Sequence, residues 1–599
     1  MTRLYSTPLA FAVALLCAAP AALAQDAGTL QRAPEIATGY AEKQGAVAQR
    51  YMVAAANPLA TEAGYRMLKQ GGSAIDAAIA TQMVLTLVEP QSSGIGGGAF
   101  LVLYDGKAVH AYDGRETAPM AASERLFLDK DGKPMSREQG IVGGRSTGAP
   151  GVVRMLALAH AKHGKLAWAK LFEPAIELAD KGFAVSPRLN ALLKYDRERL
   201  PRDPVAAAYF YDRDGQPRPV GYVLKNPELA KSLREIARGG ADAFYRGRIA
   251  RDIAAKVASH PTNPGLLTVQ DIAGYQAKER DPVCADYRQW KVCGAPPPSS
   301  GGIAVAQMLG ILENTPIAAH PPVAGNLDAE AIHLFSEAGR LAYADRNRYV
   351  ADTDFIPLPG KGIASMLDKG YLAGRAALIG EKSMGSAQAG TPQGMKVAWG
   401  TDTALDRPST SHLVAVDAFG GGLSMTTSVE DAFGSRQMVD GFMLNNQLTD
   451  FSFDAADENG PIANRVQPGK RPRSAMSPTL VFDRTAGNQP GKLVLATGSP
   501  GGSTIINYVT KVLVGTLDWH LDVQQAISLP NFGSRNGPTE LEAGRVGADT
   551  IARLKAKGHE VREFDQNSGL QGIQAIRRDG RDLWFGGADP RREGVVRGD

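Results

Sequence analysis

The chain has 599 residues, of which 44% are hydrophobic and 21% charged, an ordinary globular composition with ample apolar material for a large core. Its formal charge of +4 is small for that length, and no block of like charges marks a nucleic-acid tail or a polybasic membrane anchor.

The first residues have the form of an export signal. Arg3 supplies the positive start, residues 9–17 an apolar stretch too short to span a bilayer, and Ala22-Leu23-Ala24 a small-x-small cleavage site before Gln25. Residues 1–24 are therefore expected to be removed, giving a periplasmic or secreted protein. No later apolar run reaches the roughly 18 residues of a membrane span. The mature chain keeps two cysteines, Cys284 and Cys293. An oxidising compartment permits a bridge between them, and a buried free pair is the equal alternative.

Residues 51–111 predict strand, helix, helix, strand. The first helix covers 61–69 and ends at Gly71-Gly72; Ser73 can cap the second, which runs to Val88 before Glu89-Pro90 stops it. A glycine-rich stretch, Gly94-Ile95-Gly96-Gly97-Gly98, then leads into a strand over 100–104. Residues 150–260 are mostly helical. Residues 296–302 (PPPSSGG) are a loop before a helix from Ile303, and a further helix spans about 328–347. Residues 380–410, weakly patterned and rich in Gly, Ser and Thr, read as an exposed linker. Behind it the texture turns to strands, over 412–416, 423–429, 442–444, 479–482 and 493–497. The last runs into Gly498-Ser499-Pro500-Gly501-Gly502-Ser503 and a helix.

Some patterns do not fit their contexts. Gly144-Arg145-Ser146-Thr147-Gly148 has the form of a nucleophile elbow, but no strand precedes it and Ala149-Pro150-Gly151 follows where a helix is required. Residues 94–99 match a loose dinucleotide-binding pattern with helix and strand in the wrong order. The nine histidines are scattered. His160 and His163 can share a helix face, but no nearby acid or third ligand joins them in sequence, so both read as surface residues and no metal is expected.

Ser409-Thr410-Ser411-His412, at the junction of linker and strand, means little alone. Together with GGSAIDAAIA (71–80), residues 94–100, DGRETAP (113–119), PPPSSGG (296–302), LAYADRNRY (341–349), MLNNQLTDFSF (443–453), KRPRSAMSPT (470–479) and TGSPGGS (497–503), it resembles the γ-glutamyltranspeptidase family of N-terminal nucleophile hydrolases over about residues 45–590. The resemblance implies an α/β fold, an αββα four-layer sandwich. It also implies autocatalytic cleavage between Ser409 and Thr410 into a large subunit, 25–409, and a small catalytic subunit, 410–599, which form one intertwined globule.

The chemistry accounts for a threonine at that position. Its hydroxyl can attack the Ser409 carbonyl and turn the peptide into an ester, and hydrolysis then frees the Thr410 α-amine beside the hydroxyl it must activate. No histidine is required, and His412 reads as structural support. By the resemblance, Ser428 stands where the family has a threonine bonded to the nucleophile, and Gly501 and Gly502 supply oxyanion donors at a helix start. Arg115, helped by Ser474, would hold the α-carboxylate of a γ-glutamyl head group, and Gln447 and Asp450 its ammonium. Without the resemblance, Arg115 reads as a surface ion pair with Glu116.

This sequence departs from the family pattern in three places. Glu430 replaces a frequent asparagine near the amine, and Ala475 replaces a frequent second serine near the carboxylate. The spacing over 451–474 is too short for a lid loop, which predicts a more open pocket. The resemblance implies glutathione and related γ-glutamyl amides as donors, with water, amino acids or peptides as acceptors and no cofactor. A glutaryl or cephalosporin acylase of the same fold is the alternative, disfavoured because two acids near the amine position would repel an anionic acyl group. A non-catalytic binding protein is not expected to retain Thr410, Arg115 and the Gly501-Gly502 pair together.

Overall fold

In the computed structural model, residues 39–395, 399–404, 409–485, 490–565 and 567–599 are described; the expected signal segment, 1–24, lies outside them. Two seven-stranded antiparallel sheets organise the described residues. The first runs, edge to edge, through Ala46–Ala48, Arg581–Ala588, Gln571–Arg578, Pro490–Gly498, Thr479–Arg484, Trp290–Gly294 and Val283–Tyr287. The second runs through Val595–Gly598, Met52–Ala55, Ser411–Val416, Gly422–Ser428, Gly98–Tyr104, Val109–Gly114 and Lys278–Arg280. Each sheet takes strands from both sides of the Ser409-Thr410 junction.

The period-two alternation of strands sorts the side chains into layers. In the second sheet, Val53, Ala55, Leu101, Leu103, Leu413 and Ala415 face a cluster built with the helices Pro58–Lys69, Ala74–Val88 and Val152–His163. Their neighbours Met52, Ala54, Phe100, Val102, Val414 and Val416 face the first sheet. There the ring of Tyr104 meets Phe482 with centroids 5.0 Å apart, and Gly586 has room for no side chain against the Met52 sulfur. The outer face of the first sheet carries the helices Gly301–Leu312, Ala329–Tyr349 and Ile505–Leu517. The order is helix, sheet, sheet, helix, as the resemblance implies.

Local signals explain the element ends. Ser73 and Asp76 form a capping box on Ala74–Val88, a helix buried on every side. Cys284 and Cys293 stand opposite one another in the two strands at one edge of the first sheet and form a disulfide, which decides between the two alternatives left by the sequence. No helix among the described residues is long and apolar enough to cross a membrane.

The 380–410 segment is largely exposed over 381–394, as expected of a linker, and departs from that expectation toward its end. Asp402, Ser409 and Thr410 are buried. Asp402 accepts from Asn464 Nδ2 (2.8 Å) and pairs with Arg473 (2.8 Å), so the polar groups that suggested a solvated linker find partners inside the protein.

Candidate active site

The strand register sets the site. Ser411 lies opposite Thr427 in the antiparallel pair, so one step outward Thr410 comes level with Ser428, eighteen residues away in sequence. Ser428 in turn pairs with Gly98, and a Cβ on Gly97 would sit 2.1 Å from the Ser428 carbonyl oxygen. The glycine-rich stretch after the buried helix therefore serves a close backbone approach, not a phosphate.

Thr410 Oγ1 lies 2.6 Å from the Ser409 carbonyl oxygen and 3.2 Å from Ser428 Oγ, while the Ser428 hydroxyl donates to that same carbonyl at 2.7 Å. The Glu430 N–H donates to Ser428 Oγ (2.9 Å) and fixes its position. Ser409 is tied down by its own hydroxyl, which donates to the Gln91 carbonyl, and Arg592 donates to the Thr410 carbonyl at 3.3 Å. The next residue, Ser411, donates to Glu89, a buried carboxyl raised to about 7 by desolvation against the pull of Arg188 and Arg592.

His412 lies between the sheets. Its imidazole bonds Thr426 Oγ1 across the strand pair (2.9 Å) and packs on Gly498, and burial lowers its pKa to about 3. A neutral, enclosed imidazole here is a packing element. The Gly498 contact brings the end of the strand Pro490–Gly498 against the residue two places from Thr410. Beyond it, Gly501 (φ 136°) and Gly502 (φ 57°) take backbone conformations other residues avoid, as the chain turns into the helix Ile505–Leu517.

Arg115 is fully buried, which overturns its reading as a surface residue; Glu116, 3.8 Å away, is fully buried too. Arg115 follows the strand Val109–Gly114, whose end is inside the molecule. Its Nε donates to the Pro472 carbonyl (3.1 Å), and Nη2 donates to the Arg473 carbonyl (2.8 Å) and to Asp450 (2.5 Å). Nη1 has no hydrogen-bond partner among the described residues. Gln447 donates to Asp450 at 3.4 Å, and its Oε1 also lacks a partner. Ser474 is next to Arg473 and is fixed by the loop at 296–302: its N–H donates to the Pro298 carbonyl and its carbonyl accepts from Ser300. Arg115, Gln447, Asp450 and Ser474, from three stretches of sequence, thus form one buried polar cluster.

Burial raises the Glu116 carboxyl to about 8, with Arg115 opposing the shift. Glu430 has φ 83° and accepts from Asn446 Nδ2, a residue the sequence reading passed over inside MLNNQ. Arg436, six residues further on and a cation that could have paired with Glu430, is instead engaged by Asp196 (3.0 Å) and Asp431 (2.8 Å).

The more open pocket expected from the short 451–474 segment is not seen in the uncut chain. Thr410, Ser428, Glu430, Gln447, Asp450 and Ser474 are each at most 3% exposed. The segment before Thr410 remains in place, with Gly400 bridging Ile462 and Asp402 on Arg473.

Among the described residues, the groupings of histidine and carboxylate close enough to share a cation lie elsewhere, at Asp105–His110–His163 and His333–Glu337–His559. The reading of His163 as without an acidic neighbour is therefore corrected. The hairpin 98–114 folds over the helix end and supplies Asp105 and His110, which no local spacing could reveal. His160 faces elsewhere, with Nε2 2.9 Å from the Leu166 carbonyl and 3.5 Å from the buried Asp76, so it too has an acidic neighbour.

A family model described as Gamma-glutamyltranspeptidase matches residues 60–598. The glutathione hydrolase proenzyme of Escherichia coli (strain K12) is 36% identical over 554 residues, 91% of each chain. The acylase ACY 1 proenzyme of Pseudomonas sp. (strain SE83) is 33% identical over 91% of this chain and 93% of its own. Among solved structures, a cephalosporin acylase from Bacillus halodurans superposes with a TM-score of 0.79 at 27% identity, covering 93% of this chain and 97% of that one.

Proposed function

The chain belongs to the γ-glutamyltranspeptidase family, and from that premise we propose that it is an exported, self-processing γ-glutamyl hydrolase and transpeptidase acting on glutathione and related γ-glutamyl compounds through Thr410. The observation that carries the proposal is the arrangement at the buried junction. A threonine hydroxyl lies 2.6 Å from the preceding carbonyl oxygen, and a second hydroxyl donates to that oxygen at 2.7 Å.

In maturation, Thr410 Oγ1 attacks the Ser409 carbonyl carbon and loses its proton toward Ser428 Oγ. The Ser428 hydroxyl supports the developing oxyanion. The C–N bond breaks, the nitrogen takes up a proton, and Ser409 is left as an ester on Thr410. Water cleaves the ester, leaving a Ser409 carboxylate and a free Thr410 amine. Residues 25–409 and 410–599 are then the two subunits of one globule.

In turnover, the new α-amine takes the Oγ1 proton as the oxygen attacks the γ-carbonyl of the donor, and then delivers it to the leaving amine. The γ-glutamyl ester passes to water or to an acceptor amine. Gly501 and Gly502 would support the oxyanion. Arg115 and Ser474 would hold the α-carboxylate, and Gln447, Asp450 and Glu430 the ammonium. Support for this head-group reading is that buried groups of both signs converge with polar atoms still unused at Arg115 and Gln447. The leader at 1–24 supports export.

The likeness to acylases favours a second reading, in which the acyl group lacks the α-amine. Comparing kcat/KM for a γ-glutamyl amide and the matching glutaryl amide separates the two. The nucleophile itself is tested by sequencing the smaller band of the purified protein. It should begin at Thr410; Thr410→Ala should remain one chain, and Thr410→Ser should still cleave, more slowly. A smaller chain with any other first residue would remove Thr410 from both roles.

A further inference from the structure

A second constellation lies at the far end of the sheet from Thr410. The strand Gly98–Tyr104 has Gly98 beside Ser428 and Tyr104 at its other end, about 20 Å away at the rise of an extended strand. The turn after Tyr104 carries Asp105, the return strand Val109–Gly114 carries His110, and the helix Val152–His163 ends on His163. Glu279 joins from the edge strand Lys278–Arg280.

One ligand atom from each of Asp105, His110 and His163 lies within 4.8 Å of the other two, and each is oriented by a further group. Asp105 Oδ1 accepts the N–H groups of Lys107 (2.9 Å) and Ala108 (2.8 Å), which leaves Oδ2 facing His110 Nε2 at 3.2 Å. His110 Nδ1 is 3.1 Å from Glu279 Oε1, and Lys162 pairs with Glu279. His163 Nε2 meets the Tyr112 hydroxyl at 2.8 Å, which orients the ring.

His110 therefore stands with a carboxylate at each ring nitrogen, Glu279 at Nδ1 and Asp105 at Nε2. The 3.2 Å separation is close to the edge of about 3.3 Å for a tetrahedron with metal bonds of about 2.0–2.1 Å. We propose that Asp105, His110 and His163 bind a zinc-type divalent metal ion, with Glu279 and Tyr112 orienting the imidazoles and water completing the shell. Two imidazoles with one carboxylate select a first-row transition ion over calcium or magnesium. A carboxylate on the far nitrogen of a ligating histidine is the usual means of fixing its tautomer. A cleft of about 300 Å³ lined in part by Asp105, Lys107, Lys162 and His163 gives access from solvent.

The other grouping serves as an internal control. His333 and His559 are bonded to each other (2.8 Å), and their outer nitrogens to the Gly380 carbonyl and Thr539. Glu337 is engaged by Arg340, Ser383 and Met384. A cation there would have to break an already satisfied buried network.

The test is titration of tag-free, chelator-treated protein with Co²⁺ and then Zn²⁺. One equivalent of cobalt should give the visible band of a four-coordinate site, and zinc should displace it. Asp105→Asn and His163→Gln should abolish that band. Glu279→Gln, one contact further out, should weaken zinc about ten- to a hundredfold. Hydrolysis of γ-glutamyl amides should be unchanged in all three, because the cluster lies a strand's length from Thr410. No cobalt band in the wild-type protein would show that the cluster takes no such metal, and the proposal would be wrong. Equal binding by wild type and His163→Gln would also overturn it. The wild-type titration decides even where a variant fails to fold.

Discussion

Ser428→Ala tests the self-processing geometry most directly. The buried Ser428 Oγ serves three groups at once: it donates to the Ser409 carbonyl, faces the Thr410 hydroxyl and accepts the Glu430 N–H. Its removal takes the donor from the developing oxyanion, a loss of about 10²–10³ in rate where such donors have been deleted. It also leaves the Glu430 N–H unsatisfied in the interior, at a cost of roughly 1–3 kcal/mol. The first loss falls on the rate of cleavage and the second on stability, so the two can be read separately. A time course of uncut chain on denaturing gels should show processing slowed by about two to three orders of magnitude. A thermal melt of the same sample should show a folded protein with a lowered midpoint. Ser428→Thr restores the hydroxyl and should process within several-fold of wild type. If Ser428→Ala processes about as fast as wild type, the hydroxyl–carbonyl contact plays no part in cleavage.

Arg115→Lys keeps the charge but loses the fork that spans Pro472, Arg473 and Asp450; KM for γ-glutamyl donors should rise about tenfold or more while processing is untouched. An unchanged KM would remove Arg115 from substrate binding. Glu116, raised from 4.5 to about 8, takes up a proton on folding, so its contribution to stability is full below about 4.5 and is lost as pH rises through about 8. Glu116→Gln should flatten that decline in denaturant midpoints measured across the window, and an unchanged slope would place the titration elsewhere. Glu430→Gln should lower discrimination between a γ-glutamyl amide and its glutaryl analogue by about 1–2 kcal/mol, several-fold to some thirtyfold in kcat/KM. Unchanged discrimination would show that Glu430 does not face the ammonium.

The sequence carried the fold well where its signals are local. Ser73 and the apolar run behind it predict the helix Ala74–Val88, and the apolar, β-rich run at 412–416 and the one at 423–429 predict the strands Ser411–Val416 and Gly422–Ser428. The site was legible only through motifs, because its members meet by register and layer packing. Nothing near Arg115 in sequence announces Asp450, and nothing near Thr410 announces Gln91 or Arg592. Burial was the least legible property. Arg115 and Glu116 look like a solvated pair in a row of polar residues, yet their strand ends in the interior. The segment before Thr410 looks like a free linker for the same reason: composition records polarity, and it does not record that Asp402 has Arg473 and Asn464 waiting for it.

The pairing of Arg115 with Asp450 bears on the choice between γ-glutamyl and plain acyl substrates. In the uncut chain the two groups assigned to opposite ends of a zwitterion neutralise one another at 2.5 Å in the interior. A donor carboxylate that draws Arg115 away leaves the Asp450 carboxylate short of its cation. Stranding one member of a buried ion pair costs about 3–5 kcal/mol. An α-ammonium on the same donor returns a positive charge to Asp450, so the exchange proceeds with both charges still compensated. A glutaryl group brings the terminal carboxylate without the ammonium and incurs the whole loss, and Glu430 beside Asn446 adds a further negative charge to the same region. On the proposed roles of Arg115 and Asp450, the arrangement that suits the closed precursor would also favour a zwitterionic head group and would weigh against the acylase reading that the likeness in fold alone allows.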